Sequence, residues 1–243
     1  REENWPRFLD LQSHIYPNKW IIDVFGQFYL GYYIRDFQDS GSDYFRKDIR
    51  LVKLGASANY LLNGDKLSFE AAFHQTAIQK KSAFSPMVGF EVYRVRISGD
   101  SLILPNELDI PGNYSRSDFY HIGPSAGLAG TLVLGKGFFL TAAASGNVGL
   151  GTSKADQDKG TRKVGLMTGY FLRGFAGYNG KRFSINGSYL YKQLNLAEQQ
   201  EIAQSVNTGN YRINLIYKIN PGPKLTKTYT KFNPKNILKR ILD

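Results

Sequence analysis

The feature that most constrains the fold of this chain is a two-residue alternation of apolar and polar side chains that recurs in long runs. From Tyr211 to Ile219, for example, the odd positions hold Tyr, Ile, Leu, Tyr and Ile, and the even positions hold Arg, Asn, Ile and Lys. The segments from Trp20 to Ile34 and from Phe183 to Tyr191 alternate in a similar way. Because successive side chains of a β-strand point to opposite faces, the repeated period of two predicts an all-β chain.

Strand length and side-chain size favour an antiparallel transmembrane β-barrel over a soluble sandwich, which alternates too. Several runs last ten residues or more, near the roughly 9–11 that cross a bilayer, whereas globular strands most often have about 5–6. The second face is rich in Gly, Ala, Ser and Asn with isolated charges, as in a crowded polar lumen. Aromatic residues form 14% of the chain and 25 residues are glycine. Such a composition is typical of membrane barrels, in which only every second residue faces lipid.

The alternating runs divide the chain into about eleven predicted strands, at residues 7–16, 20–35, 49–62, 66–76, 87–97, 101–105, 118–134, 138–151, 163–178, 182–194 and 208–219. Short turns rich in glycine and asparagine alternate with long polar connections. Outer-membrane barrels have short periplasmic turns and longer outer loops, so this order predicts a periplasmic C-terminus. Bacterial single-chain barrels have even strand numbers, so we expect an odd number of further N-terminal strands in a complete barrel of about 12–14.

The strand pattern stops after Ile219, which divides the chain into a barrel at residues 1–219 and a basic tail at 220–243. An Asn-Pro-Gly-Pro sequence at 220–223 breaks the strand, since proline cannot continue a ladder. Asn-Pro at 233–234 is typical of a helix start before a short amphipathic stripe. We expect the tail to dock a protein partner at the periplasmic face; the alternatives are a plug of the lumen, contact with the inner leaflet, or a disordered extension. Its candidate docking residues are Lys224, Lys227, Lys231, Lys235, Ile237, Leu238, Lys239, Arg240, Ile241 and Leu242.

Several blocks of sequence carry a family resemblance: residues 68–76, the Gln-Lys-Lys-Ser-Ala block at 79–83, and residues 119–127, 137–141 and 173–178, with 7–12 and the tyrosine pair at 32–33. Together they resemble an uncharacterised family of outer-membrane β-barrel proteins of the Bacteroidota, catalogued as a domain of unknown function. The resemblance covers about residues 7–219, and the Gln-Lys-Lys-Ser block is its most specific part. It implies a membrane barrel with about three further N-terminal strands, and it implies no activity, cofactor or functional residue.

Charged residues on the predicted lumen face are balanced in sign. A buried charge must be paired or hydrated, because desolvating one alone is costly. We expect these residues to form salt bridges that brace a narrow lumen; the alternative is a charged constriction that lines a pore. The residues are Asp10, Asp23, Lys53, Glu70, Glu91, Arg173, Arg212 and Lys218.

No catalytic motif is found in the sequence, and we expect no enzyme. His121 with Ser125, or His74 with Ser68, could be proposed as base and nucleophile of a lipid hydrolase or acyltransferase. A serine nucleophile also needs an orienting group in three dimensions, and spacing along one strand does not supply it. Polar wall residues are the expected role for all four.

No cofactor or metal is expected either. The chain has no cysteine, and His14 and His74 with Glu70 match no ligand spacing. The net charge of +11 has two interpretations of equal weight. It favours contact with anionic lipid headgroups or an acidic partner, or it belongs to a solvated surface. No basic-aromatic motif recurs, which argues against nucleic acid. Gln79-Lys80-Lys81, in a predicted outer loop, is a candidate contact for lipopolysaccharide phosphates.

These observations predict an integral outer-membrane barrel that acts as a structural or accessory subunit of a larger cell-envelope complex. Three alternatives stay open: a small passive channel, a lipid-modifying enzyme, and a soluble periplasmic lipid-binding barrel. The channel requires an open lumen, and the soluble barrel conflicts with long strands whose outer face is aromatic.

Overall fold

In a computed structural model, the chain forms one antiparallel sheet and, within the described ranges, a single short helix. The structure describes residues 6–34, 44–73, 79–104, 113–156, 162–199 and 202–218. The strands are β1 (Arg7–Ile15), β2 (Trp20–Ile34), β3 (Tyr44–Leu61), β4 (Ala83–Ser98), β5 (Arg116–Gly135), β6 (Phe138–Ala155), β7 (Lys163–Asn179), β8 (Phe183–Gln199) and β9 (Ile202–Tyr217), and the helix is α1 (Phe69–Phe73). Among the described residues, no helix has the length and apolar character needed to cross a membrane.

The sheet curls on itself as in a β-barrel. Each strand pairs with its neighbours in sequence, so the order across the sheet runs from β1 to β9. Arg173 on β7 nevertheless donates two hydrogen bonds to Asp23 on β2, at 2.8 and 2.5 Å. Lys53 on β3 likewise donates to Thr208 on β9 at 3.0 Å. Because strands so far apart in the order touch through one face, that face lines an enclosed interior, the lumen. The predicted all-β antiparallel barrel fold is therefore confirmed, and the described residues contribute nine strands, not the eleven predicted.

Side chains alternate between the lumen and the outer wall along each strand. On β5, Phe119, His121 and Ala129 are buried, whereas Ile122 and Leu128 between them are exposed. The strands are 9 to 20 residues long, which gives the wall the length that the alternating runs predict.

The edges of the sheet are β1 and β9, which run in the same direction because nine antiparallel strands alternate. They do not pair with each other in the part of the chain that the structure describes. Antiparallel closure between two parallel edges requires an odd number of intervening strands. The expectation that further strands complete the barrel stays a prediction.

The predicted strand at 66–76 is wrong. Residues 62–66 form a turn and residues 69–73 form α1. Ser68 begins the helix, since its hydroxyl accepts a hydrogen bond from the backbone N–H of Ala71 at 3.2 Å, which satisfies a donor that has no partner inside the helix. The pair Ala71-Ala72 favours a helix over a strand. Both alanines are buried, whereas in the predicted strand one of two successive side chains would be exposed.

The predicted strand at 101–105 is also wrong. Residues 101–104 form bends. Their backbone is held by the loop that follows them instead of by a strand ladder: Ile103 N–H donates to the carbonyl of Tyr114 at 2.8 Å, and the Asn113 side chain bonds both backbone groups of Leu104, at 3.0 and 2.7 Å.

These two corrections change the ends of the barrel. Tight turns at 16–19, 136–137 and 180–182 lie at one end, here called the turn end. The fourth connection at that end is the long segment 62–82, and at the other end only residues 200–201 separate β8 from β9. The predicted strict alternation of short and long connections therefore fails at both ends. The opposite end is the loop end. The Gln79-Lys80-Lys81 block lies in the connection 62–82 at the turn end and not among the connections of the loop end. The predicted tail lies outside the described residues.

Candidate functional site

The turn end of the lumen is occupied by residues 62–73, here called the plug, with a cavity of about 260 Å³ beside Ala71 and Ala72. Leu67 and Phe69 are almost completely buried. The ring of Phe69 lies 5.7 Å from that of Tyr16 and 6.4 Å from that of Phe175, measured between centroids. The Asn186 side chain donates to the carbonyl of Ala72 at 3.2 Å. The plug therefore packs on the wall through an apolar cluster of side chains and one buried hydrogen bond.

Gln79 fastens the base of the plug. Its side-chain oxygen accepts a hydrogen bond from Ser68 N–H at 2.9 Å, and its side-chain nitrogen donates to the carbonyls of Lys66 and Lys81, at 2.7 and 2.8 Å. The first residue of the Gln-Lys-Lys-Ser block thus has a structural role, because it joins both ends of the connection.

A second apolar layer fills the loop end of the lumen. It consists of Phe25, Leu51, Tyr93, Val95, Phe119, Met167, Leu194, Leu196 and Val206. Above it, the buried hydroxyl of Tyr114 donates to the Gln204 side chain at 2.5 Å. Burial raises the pKa of Tyr114 to about 12, because the phenolate would lose its hydration. Arg46 holds the neighbouring loop through the carbonyl of Leu102 at 2.8 Å and the hydroxyl of Ser101 at 2.9 Å.

Between the two apolar layers lies a polar layer, and its first element is the Asp23–Arg173 ion pair. Both side chains are only 2% exposed. The carboxylate of Asp23 also accepts a hydrogen bond from Ser57 at 3.0 Å and lies 2.7 Å from His14 Nδ1. The guanidinium of Arg173 lies 3.9 Å from the ring centroid of Phe171. Because the carboxylate has several partners, the pair meets the requirement that buried charges be compensated.

The second element is the Glu91–Lys192 ion pair, which joins β4 to β8. Asn147 donates to the other carboxylate oxygen of Glu91 at 3.0 Å. The ammonium group of Lys192 lies 4.4 Å from the ring centroid of Phe25, and that of Lys53 lies 5.2 Å from the same ring. Two lysines thus share one aromatic ring, a favourable contact for desolvated cations.

A cavity of about 20 Å³ lies beside the two ion pairs. Its lining includes Asp23, Lys53, Lys192, Gln27 and Thr208. The cavity is small. Two of its lining charges, Asp23 and Lys192, form ion pairs with Arg173 and Glu91, whereas Lys53 donates to Thr208, so the polar layer cross-links the walls of the lumen.

His121 fits against the wall only because glycine lies beside it. Its ring stacks on Tyr93 with centroids 4.4 Å apart. A Cβ atom on Gly149 would lie 2.8 Å from the His121 ring and 2.3 Å from the backbone oxygen of Ile122. At Gly151, a Cβ would lie 2.3 Å from the sulfur of Met167. The inner glycines of the sequence therefore make room for the large side chains that fill the lumen.

The predicted lumen charges separate into two groups. Four of them, Asp23, Lys53, Glu91 and Arg173, are buried in the polar layer. Asp10 is half-buried on the same face, where Gln27 and Gln12 donate to it at 2.9 Å.

The other three lie outside the buried polar layer. Glu70 is exposed on α1 and not on a strand, so its predicted place on the wall is wrong. Arg212 lies on the predicted lumen side of the edge strand β9, opposite the buried Ser188, but it is exposed. Lys218 donates to Asn179 at 2.6 Å and to the carbonyl of Gly180 at 3.1 Å, which ties the end of β9 to a turn and not to a lumen carboxylate.

Two partners in the polar layer, Lys192 and His14, are not among the predicted lumen charges. The contact of His14 with Asp23 was predictable from the strand register, because the two residues lie directly opposite each other on β1 and β2. No local signal places Lys192 beside Glu91, because β4 and β8 meet only through the curl of the sheet.

The proposed serine–histidine pairs gain no support from the geometry. The Ser125 hydroxyl donates to Asn59 at 2.8 Å, and its Cα is about 13 Å from that of His121 along the same strand. His74 lies outside the described residues. Among the residues that are described, no group of three or more His, Asp or Glu side chains could hold a metal ion.

The chain belongs to the DUF4421 family, a domain of unknown function, whose family model matches residues 1–219. No curated protein matches the chain. The family description assigns no activity, so function has to be argued from the geometry.

Proposed function

We propose that this chain is an integral outer-membrane β-barrel protein that does not conduct, and that it serves as a structural or accessory subunit of a larger cell-envelope complex. In this proposal the turn end is periplasmic and the loop end faces outward. The observation that carries it is the distribution of polarity between the two faces of the wall.

The outer face of the wall is unlike that of a soluble barrel, and the lumen holds a buried polar layer. The outer face exposes large apolar side chains on β1 to β9, including Leu11, Val24, Leu54, Phe90, Ile122, Leu150, Leu166, Ile185 and Leu215. The inner face buries two ion pairs and many Ser, Thr and Asn side chains. A soluble lipid-binding barrel needs a polar outside and an apolar cavity, whereas lipid around the wall satisfies the arrangement seen here.

Aromatic pairs at the turn end support the same placement. Trp20 and Tyr60 lie side by side on the outer wall with ring centroids 5.1 Å apart, as do Phe138 and Tyr178. Girdles of aromatic residues are typical of the membrane–water interface in such barrels.

The packed lumen argues against a passive channel. The plug occupies the turn end, the second apolar layer fills the loop end, and the ion pairs join opposite walls between them. A protein with a filled interior and no catalytic constellation among its described residues acts through its outer surfaces, which supports an accessory role.

Three measurements test the proposal separately. The full chain, expressed in a Gram-negative host, is expected to stay in the outer membrane after alkaline extraction and to float with vesicles; release without detergent would contradict membrane integration. In planar bilayers the intact protein is expected to give no stable conductance, and reproducible channels would favour the passive-channel alternative. Native purification in mild detergent is expected to retain a partner, and free monomer alone would contradict the accessory role.

A further inference from the structure

We infer that the outer wall carries a binding site for the phosphate of an anionic membrane lipid, formed by Arg94, Arg96, Arg116 and Arg162 near the loop end, here called the arginine cluster. The inference rests on the proposed function, because it requires lipid around the wall. It assigns the site to side chains on the outside of β4, β5 and the start of β7.

Register places the cluster on the lipid-facing side of the sheet. Arg94 pairs across the strands with Tyr120, and Arg96 pairs with Asp118. Arg94 and Arg96 continue the outward series of Phe90 and Val92 along β4, in steps of two residues. The same face of β5 continues from Asp118 and Tyr120 to Ile122. The cluster therefore lies directly beside the exposed apolar side chains of the outer wall.

The cluster has more positive charge than its own carboxylate neutralises. Arg94 and Arg96 each approach Asp118 Oδ1 at 2.7 Å, and Arg116 approaches Oδ2 at 3.6 Å. Three guanidinium groups thus share a single carboxylate, which leaves a net charge of +2 before Arg162 is counted. The three carry roughly fifteen N–H donors, whereas a carboxylate offers about four acceptor sites.

The surplus donors are accessible. The side chains of Arg94, Arg96 and Arg116 are 37%, 34% and 54% exposed, whereas that of Asp118 is only 16% exposed. Asp118 lies below the guanidinium groups, where it positions them but does not cover them.

An aromatic ring fixes the cluster further. The guanidinium carbons of Arg94 and Arg162 lie 5.1 and 5.5 Å from the ring centroid of Tyr120. Such contacts orient a planar guanidinium without using its N–H donors. Arg162 precedes β7, so the site collects residues from three parts of the wall.

A phosphate on a lipid headgroup fits this surface better than a free anion or a protein carboxylate. The arginine fork matches phosphate oxygens bidentately. Acyl chains attached to that phosphate would lie along the exposed Phe90, Val92, Ile122 and Leu150 below it. With the loop end outward, the ligand class is a phosphorylated glycolipid or phospholipid of the outer leaflet.

The test is a lipid titration of the full-length chain in detergent, followed by native mass spectrometry. Bisphosphorylated lipid A, dephosphorylated lipid A and inorganic phosphate are the three probes. The variant Arg94→Gln/Arg116→Gln removes two charges but keeps the Arg96–Asp118 pair. Lys136→Gln/Lys181→Gln removes two exposed charges at the turn end and is the matched control.

We expect bisphosphorylated lipid A to bind about 25-fold more weakly to the arginine variant, a factor of about five per lost charge. The lysine control should bind like wild type, and dephosphorylated lipid A should bind weakly to all three proteins. Equal binding of the two lipids by wild type, or no effect of the arginine variant, would overturn the site. Inorganic phosphate binding as tightly as the lipid would overturn the lipid assignment.

The comparison of the two lipids on wild-type protein keeps the test valid if the variant fails to fold. Membrane integration is scored separately by flotation of the same proteins. A chain that floats but does not discriminate the lipids contradicts only this inference, whereas a chain that does not float contradicts the proposed function.

Discussion

The buried Asp23–Arg173 pair provides the sharpest test of how the lumen is held together. We consider Asp23→Asn, Arg173→Met and the double variant. The asparagine keeps atoms that can bond Ser57 and His14, and the methionine keeps most of the volume of Arg173 against Phe171. The three variants therefore isolate the charge pair from the packing around it.

Each single variant removes the opposite charge of a buried group in a place with almost no solvent, although Asp23 keeps His14 and Ser57 as partners in Arg173→Met. Both side chains are 2% exposed, and removal of one partner of a buried pair costs about 3–5 kcal/mol. The double variant buries neither charge, and replacement of a whole pair is often near neutral. We therefore expect the double variant to lose only about 1–2 kcal/mol, less than either single variant, with a coupling energy of at least about 3 kcal/mol.

The free energy of unfolding is measured by guanidinium titration of the full chain in detergent micelles, with far-UV circular dichroism as the probe. The control is the Lys19–Asp65 pair at the turn end, 2.6 Å apart but with side chains 33% and 76% exposed. Lys19→Met should leave the midpoint unchanged, because solvent screens an exposed pair. Single effects that add within about 0.5 kcal/mol in the double variant would refute the inference that the two charges brace the lumen.

Three further predictions concern the plug, the inner glycines and the loop end. Phe69→Ala should destabilise the fold by about 3–5 kcal/mol in the same titration. Leu62→Ala should have little effect, because Leu62 is an exposed residue of the same connection. Equal losses of stability would contradict the packing of the plug. Gly149→Val should cost about 1–3 kcal/mol or prevent folding, because its Cβ would lie 2.3 Å from a backbone oxygen. Gly187→Val is the control, since a Cβ there meets nothing within 4 Å. A tolerated Gly149→Val would contradict the close approach. Burial raises the pKa of Tyr114 to about 12, whereas an unfolded tyrosine has a pKa of about 10. The unfolded chain therefore releases this proton first, and the free energy of unfolding should fall as the pH rises from about 10 to about 12. In unfolding titrations across that range the stability of Tyr114→Phe should fall less steeply than that of wild type, and an identical slope would contradict the burial of Tyr114.

The wall was predictable from the sequence because its signal is local. Alternation along β9 or β2 needs only the chain itself, and each face can be assigned from the side chains that share it. The plug was missed because Leu67, Phe69 and Ala71 also fit a period of two. The evidence for a helix was a capping serine at position 68 and two adjacent alanines, which is weaker than a run of apolar residues.

The charge partners were predictable only in part. The lumen face of Asp23 and Arg173 follows from strand parity, but their contact spans five positions in the strand order and depends on how tightly the sheet curls. The arginine cluster was missed for a different reason. Arg94 and Arg96 fall on the outer parity, where a sequence reading expects apolar residues, and only the register with Asp118 shows that three arginines surround one carboxylate.

A lumen filled by its own side chains restricts where function can lie. The polar layer is joined both to the walls and to the apolar side chains. Lys192 and Arg173 form ion pairs across the lumen, and their cationic groups lie over the rings of Phe25 and Phe171. Opening such an interior would separate two buried ion pairs and the apolar side chains packed on either side of them. The proposal that the barrel does not conduct rests on this packing. In the proposed accessory role, recognition falls to the outer wall, where the arginine cluster lies beside exposed apolar side chains, and to the two ends of the barrel, where a partner can dock without opening the interior.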